Sequence, residues 1–414
     1  MGRIQTLKKR TARPGRKFGW KLIATFLLIV AGYAAWTLLR PIPMLHPSQA
    51  YAHLSLATPA GSIAWPATGQ AAIALSTGAV LAVNGQQTAV PIASTAKIIT
   101  ALSVLQQKPL KLGEQGPTYT VTADDVANYN NYIAQNGSVI PVTIGEQITE
   151  YQMLQALLLP SANNIGDTLA KWAFGSLKNY SAFANNYARH LGATNTTIGS
   201  DASGLAPDTV SNAHDLALFG QAAMQNPVLE QIVGQKSASN IPGVGTIQNV
   251  NFLLGRSGIV GIKTGNSDEA GGVFLGASRA SANNSTVTVI TAYVGARNLY
   301  DSLASSVKLI DSANANFGTS VLISAGAVVG SYQQPWGGRV PVAVQKDVAV
   351  TTWKGSKLMA NVKLQDISTT VQRGQTVGSI SVVPAGLAKA TTGPLVLTGI
   401  ISKPSIFWRL SHPM

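Results

Sequence analysis

The sequence predicts an α+β fold, with one apolar helix ahead of it and a small all-β unit behind it. Three observations predict this. An apolar run covers Leu22–Leu39, interrupted only by Thr25, Gly32 and Thr37. Between about residues 61 and 317, segments with a 3.6-residue apolar period alternate with runs of β-branched and small residues. From about 318 to 403 the period drops to two and glycine turns recur.

The N-terminal element is read from charge and length. Arg3, Lys8, Lys9, Arg10, Arg13, Arg16, Lys17 and Lys21 crowd residues 1–21, with no acidic residue among them. They account for more than half of the net charge of +14, and no basic run follows on the folded part. The charge therefore does not describe a nucleic-acid surface. Eighteen helical residues are about long enough to cross a hydrocarbon core of roughly 30 Å. The basic flank belongs on the cytoplasmic side, which puts everything after Arg40 outside. A cleaved signal peptide is the competing reading, but its apolar region is usually shorter and ends in small residues. This run ends in Trp36-Thr37-Leu38-Leu39-Arg40, so a retained anchor over 22–39 is expected. Pro41, Pro43 and Pro47 then predict a stiff spacer over 40–60.

The elements that follow are read in order. Ala71–Ser76 and Ala79–Val83 flank Thr77-Gly78 as a hairpin. Thr95 to Gln106 is helical, with Ile98, Ile99, Leu102 and Leu105 on one face. The Asn/Tyr-rich run 128–136 reads as a polar loop. Tyr151–Leu159 and Ile165–Phe174 are helices on either side of Pro160-Ser161-Ala162-Asn163, and His214–Met224 is another. Asn249–Leu254 and Gly258–Lys263 lead into the sheet strands Gly271–Ser278 and Thr286–Val294. Leu299–Ala313 closes the unit as a helix. Six short strands then predict a sandwich over 318–403: Ala325–Val329, Val340–Val344, Val348–Trp353, Ala360–Leu364, Thr376–Val382 and Leu395–Ile401. Residues 404–414 form a short tail.

Three short motifs carry chemistry. In Ser94-Thr95-Ala96-Lys97 the hydroxyl and the amine are three residues apart on one helix face, where they can meet. A serine is a weak nucleophile unless a base sits beside it, and lysine serves as that base once its pKa is lowered. Ser161-Ala162-Asn163 occupies the break between two helices, where Ser161 can relay a proton and Asn163 can hold an amide. Lys263-Thr264-Gly265 at a strand edge supplies a cation, a hydroxyl and room for another backbone, which together suit a carboxylate. Singly, the three also fit a helix cap, an Ser/Asn turn and a β-turn. Together, in this order and in these contexts, they are the S-x-x-K, S-x-N and K-T-G set of penicillin-recognising serine enzymes.

On those residues, Gln70–Leu309 resembles the D-alanyl-D-alanine carboxypeptidases among the low-molecular-mass penicillin-binding proteins. Leu157-Leu158-Leu159-Pro160-Ser161-Ala162-Asn163-Asn164, Ser203-Gly204-Leu205 and Gly261-Ile262-Lys263-Thr264-Gly265 add to the likeness. The resemblance implies a β-lactamase/transpeptidase-like domain followed by the family's small β-sandwich. It implies that Ser94 forms an acyl-enzyme with a peptidoglycan stem peptide ending in D-Ala-D-Ala, that Lys97 is the acylation base, and that β-lactams acylate Ser94 as substrate mimics. Lys263 and Thr264 would grip the terminal carboxylate, with the N–H groups of Ser94 and Asn266 as the oxyanion hole.

The chain also departs from the pattern. Asn266 stands where histidine is frequent, and Asn164 where aspartate is. Arg297 is the nearest candidate for a further carboxylate-binding arginine. The tail, Ser405–Leu410, is too short for the amphipathic membrane helix with which such chains often end. Two other readings remain open: a serine β-lactamase, for which Glu230 is the only glutamate between Asn163 and Lys263, and a non-catalytic wall-binding protein. No cofactor or metal is expected. The chain lacks cysteine and a phosphate-binding glycine loop, and its five histidines lack metal-ligand spacing.

Overall fold

The structure, a computed structural model, describes residues 16–49, 53–59, 61–368, 370–383 and 390–412. Most of the basic N-terminal segment thus lies outside the described residues. Helix α1 (Arg16–Leu39) begins within it and carries the apolar run, whose side chains are exposed along nearly its whole length. In water such a surface would be costly, and length and composition both suit a bilayer.

The stretch expected to be a spacer contains two strands, β1 (Pro47–Gln49) and β2 (His53–Ala57). Proline tolerates an edge strand and the following residues alternate in polarity, so the prolines mark a sheet margin, not a free linker.

The first of two units is built on a five-stranded antiparallel sheet. Its strands are β3 (Gln70–Leu75), β4 (Val80–Asn84), β5 (Ile259–Ser267), β6 (Gly271–Ala282) and β7 (Ser285–Ala296), in the order β5-β6-β7-β3-β4. β3 is buried on both faces. Ala72 and Ala74 join one core cluster, while Ala71, Ile73 and Leu75 join another. Small residues on β3 let helices approach on either side.

The first core cluster holds the helices on one face. These are α2 (Ala96–Gln107), α3 (Ala123–Ala134), α4 (Glu150–Leu158), α5 (Asn163–Phe174), α6 (Leu177–His190), α7 (Ala213–Gln225) and α8 (Pro227–Val233). Helix α9 (Leu299–Ala315) covers the other face through Leu309 and Ala313. α2 runs through the middle, buried from Ala96 to Leu105.

Two sequence expectations change here. Residues 128–134 belong to α3, not to a loop. A reciprocal capping box between Thr122 and Asp125 starts that helix, and Tyr132 is buried. The strand expected to stop near Lys263 runs on to Ser267, so the Lys-Thr-Gly motif lies inside β5.

The C-terminal unit has a seven-stranded antiparallel sheet. Its later strands are β9 (Val328–Gln333), β10 (Arg339–Val344), β12 (Lys357–Leu364), β13 (Thr376–Val382) and β14 (Thr391–Leu397). β8 (Phe317–Ile323) and β11 (Val348–Trp353) pair separately. The large sheet runs β1-β9-β10-β14-β13-β12-β2, so the two N-terminal strands form both of its edges.

Leu45 and Val350 lie in one core with Val342, Ile380 and Leu395. The tail holds a six-residue helix, α10 (Ile406–Ser411), docked on the C-terminal end of α1. The Tyr33 hydroxyl donates to the Leu410 carbonyl at 2.8 Å, and the Arg40 guanidinium donates to the carbonyl of His412.

Candidate active site

The nucleophile candidate sits where chain direction changes sharply. Ala93, with φ of 46°, starts a single 3-10 turn over Ala93–Thr95 that leads into α2. Thr95 steadies the turn by donating to the Ile92 carbonyl at 2.6 Å. Ser94 is thereby half-exposed at the mouth of the helix, while Lys97, one turn on, is fully buried.

Three groups surround the Lys97 amine. Nζ lies 2.8 Å from Ser94 Oγ, 2.6 Å from Asn163 Oδ1 and 2.9 Å from the Ser203 carbonyl. Asn163 and Ser203 offer acceptors only, so each takes an N–H. A neutral amine has two N–H groups and one lone pair. In the neutral form, with both N–H groups committed to these carbonyls, the lone pair is left for the Ser94 hydroxyl. Burial brings the pKa of Lys97 down to about 7, against the opposing pull of Asp201 and Asp167.

Ser161 and Asn163 come from the break between α4 and α5. Ser161 has φ of 66°, a conformation uncommon for a non-glycine residue. Its hydroxyl is buried and has no partner within the protein, so it is free to bond an incoming group. Asn164, where aspartate is frequent in the family, has its own explanation. Its amide accepts from Ile140 N at 3.2 Å and donates to Ile140 O at 3.0 Å. A carboxylate cannot do both.

The third motif approaches from the sheet. A Cβ placed on Gly265 would stand 3.0 Å from the Ile92 carbonyl and 3.3 Å from the Ser94 nitrogen. Glycine is what lets β5 lie this close to the nucleophile. Lys263 and Thr264 are both buried. Burial, reinforced by the neighbouring Lys97, holds the Lys263 amine well below the ordinary lysine range. Its one hydrogen bond here is to the Thr264 carbonyl, at 3.1 Å.

Asn266 is exposed and lines a cleft of about 760 Å³. Opposite it stand Asn128, Tyr132, Asp201 and Leu205. Arg297 does not join this lining. It is exposed, and its Nε donates to Asp301 Oδ2 at 2.7 Å, four residues along the chain. In this structure it forms a surface ion pair at the start of α9.

Glu230, the residue a β-lactamase reading would need, pairs with Arg279. Arg279 lies past the Ile259–Ser278 pairing, at the opposite end of the sheet from Asn266. The motif search missed Ser203 as a ligand of the lysine, together with the Asp201 and Asp167 carboxylates behind it. The sequence offers Asp201-Ala202-Ser203-Gly204 as the signal of a tight turn, but only the fold brings it to Lys97.

The D-alanyl-D-alanine carboxypeptidase family model matches residues 59–298. Among curated relatives, DacB2 of Mycobacterium tuberculosis, a D-alanyl-D-alanine carboxypeptidase, is 36% identical over 228 residues, 53% of this chain and 74% of its own. The carboxypeptidase DacA of Escherichia coli K12 is 28% identical over 302 residues, 70% of this chain and 72% of its own. The crystal structure of the Streptomyces K15 DD-transpeptidase aligns with a TM-score of 0.53 and 25% identity, over 61% of this chain and 98% of that one. The fold of PBP3 from Streptococcus pneumoniae, described as a peptidoglycan synthesis regulatory factor, aligns over 82% of this chain and all of its own, with a TM-score of 0.57 and 20% identity. The family match spans more than half of the residues and takes in every motif discussed above, and on that footing the chain belongs to the D-alanyl-D-alanine carboxypeptidase family.

Proposed function

We propose that the protein is a serine D-Ala-D-Ala carboxypeptidase of peptidoglycan stem peptides that works through an acyl-enzyme at Ser94. One observation carries this reading: a buried amine, hydrogen-bonded to two carbonyl oxygens, faces the hydroxyl of Ser94 at 2.8 Å.

The steps follow from the geometry. The Lys97 lone pair takes the Ser94 proton as Oγ attacks the carbonyl of the penultimate D-alanine. The N-terminus of α2 favours the negative charge that develops there. Backbone N–H groups of Ser94 and Asn266 receive the oxyanion. The proton then passes through the unpartnered Ser161 hydroxyl to the leaving nitrogen, the C–N bond breaks, and the terminal D-alanine departs. Water cleaves the ester by the reverse use of the same base.

Lys263 and Thr264 hold the substrate's terminal carboxylate. Burial disfavours the charged form of the Lys263 amine, and a carboxylate arriving beside it favours that form. A β-lactam presents the same carbonyl and carboxylate, but its leaving nitrogen stays tethered, so the adduct persists. Two measurements test the reading together: D-alanine released from an acylated tripeptide ending in D-Ala-D-Ala, and a stable protein adduct with a fluorescent penicillin. A protein that yields neither is not this enzyme.

A retained single-pass anchor with the catalytic part outside the membrane is supported by two features. The apolar α1 is flanked by basic residues on its N-terminal side. Its outer end is also a docking surface for α10, through Tyr33 and Arg40. Cleavage after Ala35 would remove Tyr33 and most of α1 from that contact, leaving only Arg40. Intact mass of the detergent-extracted protein is expected to include the whole of α1, and a mature chain that starts after Ala35 would refute the anchor.

A further inference from the structure

On the reading that Lys97 is the acylation base, we infer that Asp201 is a positioning residue, which builds the turn 201–206 into a bracket holding both the amine of Lys97 and the backbone just ahead of Ser94. The Asp201 carboxylate organises this turn almost alone. Oδ1 accepts from Gly204 N at 2.9 Å. Oδ2 accepts from the Ser203 hydroxyl at 2.8 Å and from the N–H groups of Leu205 and Ala206, each at 3.0 Å. Charge-assisted bonds of this kind are the stronger ones. They fix the peptide planes of a segment that has no regular secondary structure to hold it.

The turn touches the machinery at three points. The Ser203 carbonyl accepts from Lys97 Nζ at 2.9 Å. The carbonyl before it, of Ala202, accepts from Thr100 at 2.7 Å, so two residues one turn apart on α2 grip consecutive carbonyls. Gly204, with φ of +74°, packs so tightly that a Cβ there would stand 2.2 Å from the Ala93 carbonyl. Ala93 is the residue whose unusual backbone presents Ser94. Asp201 thus sets where the second acceptor for the amine stands, and with it where the lone pair points.

The other groups facing Lys97 are accounted for. Asn163 and Asp167 face it from α5, and Lys263 from β5. Asp167 is itself engaged, accepting from Ala202 N at 3.0 Å and from the Tyr132 hydroxyl at 2.9 Å. Asp201 is the charged group whose own turn also lines the cleft, through Leu205, Ala206 and Pro207.

The test is the rate of acylation by fluorescent penicillin from pH 5 to 9 in wild type, Asp201→Asn and Asp201→Ala, with thermal melting as the control for folding. Removing a negative charge near the amine makes it easier to deprotonate. In Asp201→Asn the acid limb of the profile is therefore expected to move to lower pH by about one unit. The plateau should drop about tenfold because a weaker base faces the serine. Asp201→Ala, which also loses the bracket, should cost about a hundredfold on the plateau. Should the alanine variant not fold, the asparagine variant decides. An acid limb unmoved in Asp201→Asn overturns the proposal whatever happens to the plateau, because general loosening slows the reaction without favouring any pH. A wild-type protein that penicillin does not label would instead sink the enzymatic reading itself.

Discussion

Ser94→Ala is expected to form no penicillin adduct and to lose D-alanine release by at least about 10⁴-fold. The loss is this large because the hydroxyl is the atom that becomes the ester oxygen, and no neighbour can replace it. Lys97 is too deeply buried to attack in its place, and Asn163 offers only an amide. Stability should hardly change. Ser94 is half-exposed and its hydroxyl bonds to Lys97, which keeps two other acceptors. A shift within about 1 kcal/mol is expected from calorimetry. A variant with full melting temperature and no acylation separates chemistry from folding. One that still releases D-alanine would refute the Ser94 mechanism.

The second large effect concerns the base. Wild-type acylation should rise with pH, about tenfold per unit below pH 7, and flatten above it. The sign follows from the amine: protonated it has no lone pair, and burial places its pKa at about 7. The magnitude shows why burial matters. At pH 7 an ordinary lysine is neutral in only about one molecule in 3,000, whereas Lys97 is neutral in about half. Lys97→Arg should therefore lose about 10³-fold or more at every pH, since guanidinium does not give up its proton in proteins. It should also lose the sigmoidal pH profile. A profile for the arginine variant that rises through pH 7 like the wild type would assign the titration to another group.

Much of the site was legible because its parts are local. Ser94 and Lys97 are three apart at the start of one helix, and Ser161 with Asn163 occupies one turn, so short spacings combined in the order of three motifs carried them. Gly265 was legible as a place of close approach, and the backbone of Ser94 turned out to be what approaches. What could not be read is what the fold brings from a distance. The Ser203 carbonyl reaches Lys97 across more than a hundred residues and is a backbone atom, invisible to a side-chain motif. The Arg297–Asp301 pair was equally hidden, since it depends on how the chain leaves β7 and enters α9. Among the secondary elements, α3 was hidden because asparagine is a poor helix former, and the capping residues at Thr122 and Asp125 were the better guide. Prolines concealed β1 and β2, since edge strands admit what central strands exclude.

The order of the seven-stranded sheet has a consequence for biogenesis. β1 and β2 leave the ribosome before the peptidase unit, yet their neighbours β9 and β12 are made only after it. During export these early strands must wait, unpaired, while about 270 residues pass and fold. The peptidase unit is in effect spliced into the middle of a module that only segments made after it can close. A chain that stops between Phe317 and Val328 would thus leave both β1 and β2, which follow α1 directly, without their partners.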